Sequence, residues 1–217
     1  MASLFRPRAN ALSAIILIGI LVLVVAFCIA GYLYYQSPYH TGTGYAPEQP
    51  VPFSHQHHVG GLGIDCQYCH TSVKTSDFAG IPPTYTCMTC HSQEWTNAEM
   101  LAPVRQSLAQ DEPLRWVRVH NLADYVYFSH RAHVNNGVGC ESCHGRVDKM
   151  PLMVQKKPLS MQWCLECHRN PAPNLRPENR ITAMGYSPGN DGVAGEELIE
   201  HYGIPLDRLT ECTTCHR

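Results

Sequence analysis

FSHQHHVGGLGIDCQYCH, residues 53–70, decides how this chain is built, because it returns as FSHRAHVNNGVGCESCH at residues 128–144. Both copies run Phe-Ser-His-x-x-His-Val and then Cys-x-x-Cys-His. The offset between them is 75 residues at the Phe-Ser-His run. It is 74 at the next C-x-x-C-H (Cys66 to Cys140) and 77 at the one after (Cys87 to Cys164). Self-similarity at a nearly fixed spacing marks the duplication of one structural unit. Two units result, about 51–92 and 126–170, followed by one more C-x-x-C-H within 205–217.

Ten of the 11 cysteines lie in these motifs: Cys66/Cys69, Cys87/Cys90, Cys140/Cys143, Cys164/Cys167 and Cys212/Cys215. A histidine follows each pair, namely His70, His91, His144, His168 and His216. The spacing is the attachment signature of c-type haem. Two thiols bond to the porphyrin, and the adjacent imidazole reaches the iron from the same turn. Disulfides would not require a His after every second Cys. Paired four-thiolate zinc sites, C-x2-C-x17–20-C-x2-C, fit the first four motifs but leave the fifth without a partner. The sequence therefore reads as five c-type haems, with the ten cysteines as covalent attachment points and the five motif histidines as proximal iron ligands.

Each iron has a second axial position. His55, His58, His130 and His133 stand outside the motifs at matching places in the two repeats, just ahead of the first motif of each, and are expected to be distal ligands. His120, in Trp116-Val-Arg-Val-His120, is the expected fifth, with Met150, Met153 or Met161 as alternatives. A methionine there would raise the potential of its haem. His57 has Ala132 as its counterpart and is expected at the surface; His40 and His201 are read as structural. Arg131, Arg146, Arg169 and Arg217 are candidates to pair with haem propionates, since a guanidinium meets a carboxylate bidentately.

Beyond residue 40, 177 residues remain, about 35 for each haem, too few to wrap every porphyrin in its own apolar core. The expected domain is mostly irregular and α, with short helices around haems packed on one another. The Pro-rich stretches 47–52, 81–83 and 171–177 agree. The clearest longer helix is about 97–109, with Leu101, Val104 and Leu108 on one face and Pro103 limiting its regularity. Net charge is only −2, and charged residues make up 16% of the chain. Neither a basic nucleic-acid face nor an acidic tail is written here, so no nucleic-acid partner is expected.

Residues 11–35, ALSAIILIGILVLVVAFCIAGYLYY, are almost wholly apolar. About 20 such residues cross a bilayer as a helix. Arg6 and Arg8 precede the run, and Tyr32, Tyr34 and Tyr35 close it, which predicts the amino terminus inside and the remainder outside. A cleaved signal peptide would have a shorter apolar stretch and a small-residue cleavage site. Residues 1–40 are thus expected to be a cytoplasmic stub and a single-pass transmembrane anchor. Residues 41–217 form the haem domain on the periplasmic side of the cytoplasmic membrane. Cys28, inside the run after bulky Phe27, is read as a lipid-facing or packing residue.

Taken in order, the anchor, F-S-H-x-x-H with two motifs, W-V-R-V-H-N-L, Y-V-Y-F-S-H-x-x-H, C-x-x-C-H-G-R-V-D-K-M and L-S-M-x-W-C-L-E-C-H-R resemble the pentahaem cytochrome subunit of bacterial alternative complex III. The resemblance spans 11–217 and is most specific over 116–169. It implies a periplasmic electron relay that is not itself the catalyst. Quinol would be oxidised at polytopic membrane subunits beside an iron–sulfur subunit of the molybdoenzyme type. A monohaem cytochrome or blue copper protein would take the electrons. It also implies mostly bis-His haems with room for one His/Met. Similarity to c3-type cytochromes implies His55 for the first haem and His130 for the third. The competing reading is a single-anchor multihaem quinol dehydrogenase that feeds a periplasmic reductase.

Overall fold

The computed structural model describes residues 6–187, 189 and 192–216. Contacts divide the chain into two compact units, Met1–Gly42 and Thr43–Arg217. Part of the expected cytoplasmic stub (residues 1–5) and Arg217 lie outside the described residues.

The first unit is one long helix and a one-turn appendix. Helix α1, Pro7–Gln36, contains the whole apolar run. Pro7 stands in its first turn, where a missing N–H costs no hydrogen bond. At 1.5 Å per residue the 30 residues span about 45 Å, more than the roughly 30 Å hydrocarbon core of a bilayer. Its leucines, isoleucines and valines are exposed on every side, and Cys28 with them. An all-round apolar surface suits lipid and is consistent with a membrane anchor. Ser37 ends the helix and begins the next: its N–H bonds the Tyr34 carbonyl, and its side chain accepts from the His40 N–H at the start of α2, Pro38–Thr41. The His40 ring packs against Tyr34 and Tyr35, 5.5 and 5.0 Å between centroids.

In the second unit the described residues form no strand; a single bridge joins Val138 and Leu175. Each C-x-x-C-H is wound as a short helix: α3 (Cys66–Cys69), α4 (Thr84–His91), α7 (Cys140–His144), α8 (Met161–Arg169) and α10 (Cys212–Cys215). Local capping starts several of them. The Asp65 carboxylate accepts from the Gln67 N–H, and the Ser160 hydroxyl accepts from the Trp163 N–H. The expected helix over 97–109 is present in altered form. A 3-10 turn at Glu99–Leu101 leads into α5, Ala102–Gln110, so Pro103 falls in the first turn, where it fits. Of the three residues expected on one face, Leu101 and Val104 are buried and Leu108 is not. It stays exposed and lines an open groove with Ile81, Tyr85 and Trp116.

The two Phe-Ser-His turns are built alike. Ser54 and Ser129 each accept, through the hydroxyl, the N–H three residues on. Phe53 stacks on His58 with centroids 4.4 Å apart, and Phe128 on His133 at 4.6 Å. The winding differs: Gln56–Gly61 is a π-helical turn, whereas the second copy is helix α6, His130–Asn135.

The repeats interlock. The first turn packs on the segment after the third motif: the Gln56 N–H donates to Met150 O at 2.9 Å, and Gly60 lies against the Asp148 carbonyl. The second turn packs on the segment after the first motif, with the N–H groups of His130 and Arg131 donating to Asp77 O and Ser76 O, both 3.1 Å. The chain's own apolar clusters are small. Val51, Leu101 and Val104 back the second motif against Cys87 and Met88. Val73, Val134 and Ile181 pack on Cys140.

Candidate functional site

An imidazole that serves a metal must offer one bare nitrogen, and a carbonyl on the other nitrogen enforces this. A carbonyl can only accept, so the facing nitrogen carries the proton and the second one keeps its lone pair. Four motif histidines are held in this way. The Nδ1 of His70 donates to Gly80 O (2.7 Å), that of His91 to Glu94 O (3.1 Å), that of His168 to Leu209 O (2.8 Å) and that of His216 to Tyr125 O (3.0 Å). Three histidines of the repeated turns follow the same rule. Nδ1 of His58 donates to Ser54 O (2.8 Å), of His133 to Ser129 O (2.7 Å) and of His130 to Asp77 O (2.9 Å). In all seven, Nε2 is the nitrogen that keeps its lone pair.

The rings come together in pairs. His58 faces His91 with centroids 6.2 Å apart, and His133 faces His168 at 6.0 Å. His130 and His144 lie 6.3 Å apart with their planes 8° from parallel. Such separations are compatible with one ion held at about 2 Å by a nitrogen of each ring. His120 stands edge-on to His144 at 4.5 Å, and its Nε2 is buried without a hydrogen-bond partner. Gln49 places this segment by clamping Val117 through both its N–H and its C=O. His55 breaks the symmetry, since its Nδ1 is buried and unpartnered where that of His130 is bonded.

Burial keeps the central imidazoles neutral, the form that binds a metal. His144 is pushed down to about 3 by burial and by His120, His130, His70 and His55 around it. His55 falls to about 4, again through burial first and then His70 and His58. His58, His120 and His133 shift the same way, with burial as the leading cause. Several of the partly buried thiols are shifted too: Cys143 is raised to about 12, and Cys69, Cys87, Cys164 and Cys167 also move up, chiefly through desolvation. At these five positions the surroundings favour an uncharged sulfur over a thiolate. No two described cysteines form a disulfide, and no three His, Cys, Asp or Glu side chains among the described residues converge as an ion cage. Paired imidazoles with uncharged sulfurs nearby are the donor set that fits iron in a covalently attached porphyrin.

The other expected residues are placed as follows. His57 is exposed beside Trp95, and His201 is exposed against the Tyr202 ring. Met150 is buried, Met153 half-buried, and Met161, the first residue of α8, exposed. Arg146 is engaged by Asp148 through Nε and a terminal nitrogen, and also lies 3.8 Å from Glu141. Sequence reasoning missed Arg176. This buried guanidinium donates to Glu141 Oε2 (3.3 Å) and Ala183 O (2.5 Å), sits 4.9 Å from the centre of the Tyr186 ring, and packs on Gly139, where a Cβ would overlap it. It thereby braces the start of the third motif. It lies in a Pro-rich loop with no motif of its own, and nothing in the local pattern marks it.

Residues 126–217 match the family described as cytochrome c7 and related cytochrome c. The chain is also similar to the multihaem cytochrome c subunit of menaquinone reductase from Nitratidesulfovibrio vulgaris strain Hildenborough. The two are 31% identical over 144 residues, 57% of this chain and 69% of that one. The chain belongs to the multihaem c-type cytochromes, electron-transfer proteins that carry c-type haem.

Proposed function

We propose that the chain is a membrane-anchored pentahaem cytochrome that relays electrons from a quinol-oxidising membrane complex, alternative complex III, to periplasmic acceptors. The observation that carries this reading is the set of seven imidazoles, from motifs and repeated turns alike, whose Nδ1 atoms are tied to backbone carbonyls. So many nitrogens preset as ligands serve electron transfer through six-coordinate irons better than substrate binding at an open one.

Bound haem supplies a reversible one-electron change at iron. The chain's residues do the rest. Cys66, Cys69, Cys87, Cys90, Cys140, Cys143, Cys164, Cys167, Cys212 and Cys215 hold five porphyrins. His70, His91, His144, His168 and His216 take the proximal positions. The ring pairs support His58 as the distal ligand at the second site, His133 at the fourth and His130 at the third. The resemblance to c3-type cytochromes gives His55 to the first site, and the charge of His70 reaches it. His120, with a buried and unpartnered Nε2, is the fifth distal donor. Helix α1 anchors residues 43–217 at the outer face of the cytoplasmic membrane, with Arg6 and Arg8 inside.

The partners in this reading are polytopic quinol-binding subunits, an iron–sulfur subunit of the molybdoenzyme type, and a soluble monohaem cytochrome or blue copper acceptor. The relative is a subunit of a menaquinone reductase, which favours a second reading in which electrons run the other way, towards a quinone. Isolation of the chain from membranes in mild detergent, with mass spectrometry of everything that stays bound, tests the assignment. Recovery with an iron–sulfur subunit and polytopic quinol-site subunits is expected. Recovery alone, with quinol oxidation retained, would overturn it in favour of a free-standing quinol dehydrogenase. Net quinone reduction by the intact complex at physiological potentials would favour the reverse direction.

A further inference from the structure

Contacts between the five motifs do not follow their order in the sequence. The first and second touch through the residues between their cysteines: Tyr68 and Thr89 are hydrogen-bonded at 3.2 Å. Cys69 lies within electrostatic reach of Cys87 and Cys90. The first and third are joined through residues 181–182. Cys140 N–H donates to Ile181 O at 3.0 Å, and Thr182 Oγ1 donates at 2.6 Å to Asp65, the residue that caps the first motif. Val73, just past the first motif, shares an apolar cluster with Cys140. Cys66 also feels the charge of Cys140.

Asn174 joins the third and fourth motifs. Its carbonyl accepts from the N–H of Gly139, the residue before Cys140, at 3.2 Å, and its side chain reaches Cys167 Sγ at 3.5 Å. The fourth and fifth are linked by the bond from His168 Nδ1 to Leu209 O, 2.8 Å, three residues ahead of Cys212. Cys164 also feels the charge of Cys215.

We propose that the five haem sites form one unbranched row in the order second, first, third, fourth, fifth, so that electrons enter and leave only at the second and fifth motifs. The proposal rests on reading the motifs as haem sites. It follows from the interlocked repeats: the two first motifs meet at the centre, each second motif points outward, and the unduplicated fifth extends one end. The sites nearest one another in sequence at the ends of the repeats, the second and third, are then separated by the first. Redox partners of opposite role must dock at opposite ends of the row, one beside α4 and one beside α10.

The test is a cryo-EM structure of the full chain in its native complex, with each porphyrin traced to its own cysteine pair. Expected nearest neighbours are second–first, first–third, third–fourth and fourth–fifth. A second-motif porphyrin lying closest to any site other than the first, or a fifth lying closest to any site other than the fourth, overturns the row. A motif whose sulfurs carry no porphyrin overturns the five-site reading, and is told apart by density that ends at the sulfur. A solution measurement keeps the order testable without coordinates. His58→Met should raise the potential of the second site and, in an EPR-resolved redox titration, move that of one further haem. His133→Met, at the fourth site, should move two. Two or more displaced neighbours for His58→Met would contradict its place at an end.

Discussion

Gly60 of the first repeat presses on the Asp148 carbonyl of the second, so closely that a Cβ at position 60 would overlap that oxygen. The contact makes the two repeats one object, since the turn bearing His55 and His58 is seated on the loop that follows the third motif. Gly60→Val should therefore unseat the turn, and the His55 and His58 sites should lose their low-spin spectra. Gly61→Ala is the control, because its Cβ meets nothing nearer than Gln56 O at 3.7 Å. EPR of the two purified variants would check this. Fully low-spin Gly60→Val would mean that the turn does not need its seat.

Removing one distal imidazole should open one iron and leave the others alone. His58→Ala and His133→Ala are each expected to convert a single haem to the high-spin form and make it bind carbon monoxide once reduced. His57→Ala, which removes an exposed ring beside Trp95, should leave the spectrum unchanged. Difference spectra with carbon monoxide read all three.

Leu175 has no exposed surface, and Ile181 only 2%. With so few deeply buried side chains in the described residues, each matters more. Leu175→Ala should lower stability by about 2–5 kcal/mol through lost burial and the cavity left behind. Leu108→Ala, on an exposed groove wall, should stay within about 0.5 kcal/mol. Thermal unfolding followed in the Soret band would separate them, with haem content equal in both.

Arg176 and Glu141 form a buried ion pair behind the third motif, with side-chain exposures of 6% and 19%. Arg176→Gln leaves Glu141 with the distant Arg146 and the Gly185 N–H as partners. The cost should be about 3 kcal/mol, near the lower end for breaking such a pair. Adding Glu141→Gln to an Arg176→Met background should recover part of the lost Tm, because the stranded charge is then gone. An unchanged Tm in Arg176→Gln would show the pair to be dispensable.

The features written locally could be read from the chain before any fold was known. The apolar run became α1, each C-x-x-C-H became a short helix, and the Phe-Ser-His turns were recognisable because the same capping serine and stacked phenylalanine serve both. Contacts between distant segments could not be read. Leu108 shares a helical face with Leu101 and Val104, yet it lines an open groove and stays exposed. The placement of His120 against His144 depends on Gln49, 68 residues from Val117. Arg176 is buried by its position beside Gly139, which no periodicity encodes. The mutual docking of the repeats belongs to the same class: a 75-residue offset reveals duplication and says nothing of how the copies meet.

The central claim is that five porphyrins are bonded to this chain through ten cysteines. Intact-mass spectrometry of the denatured protein, followed by peptide mapping, tests it most directly. The mass should exceed that of the polypeptide by five haems, with one on each of the peptides holding residues 66–70, 87–91, 140–144, 164–168 and 212–216. A bare polypeptide mass, or any motif recovered as free thiols or a disulfide, would contradict the account.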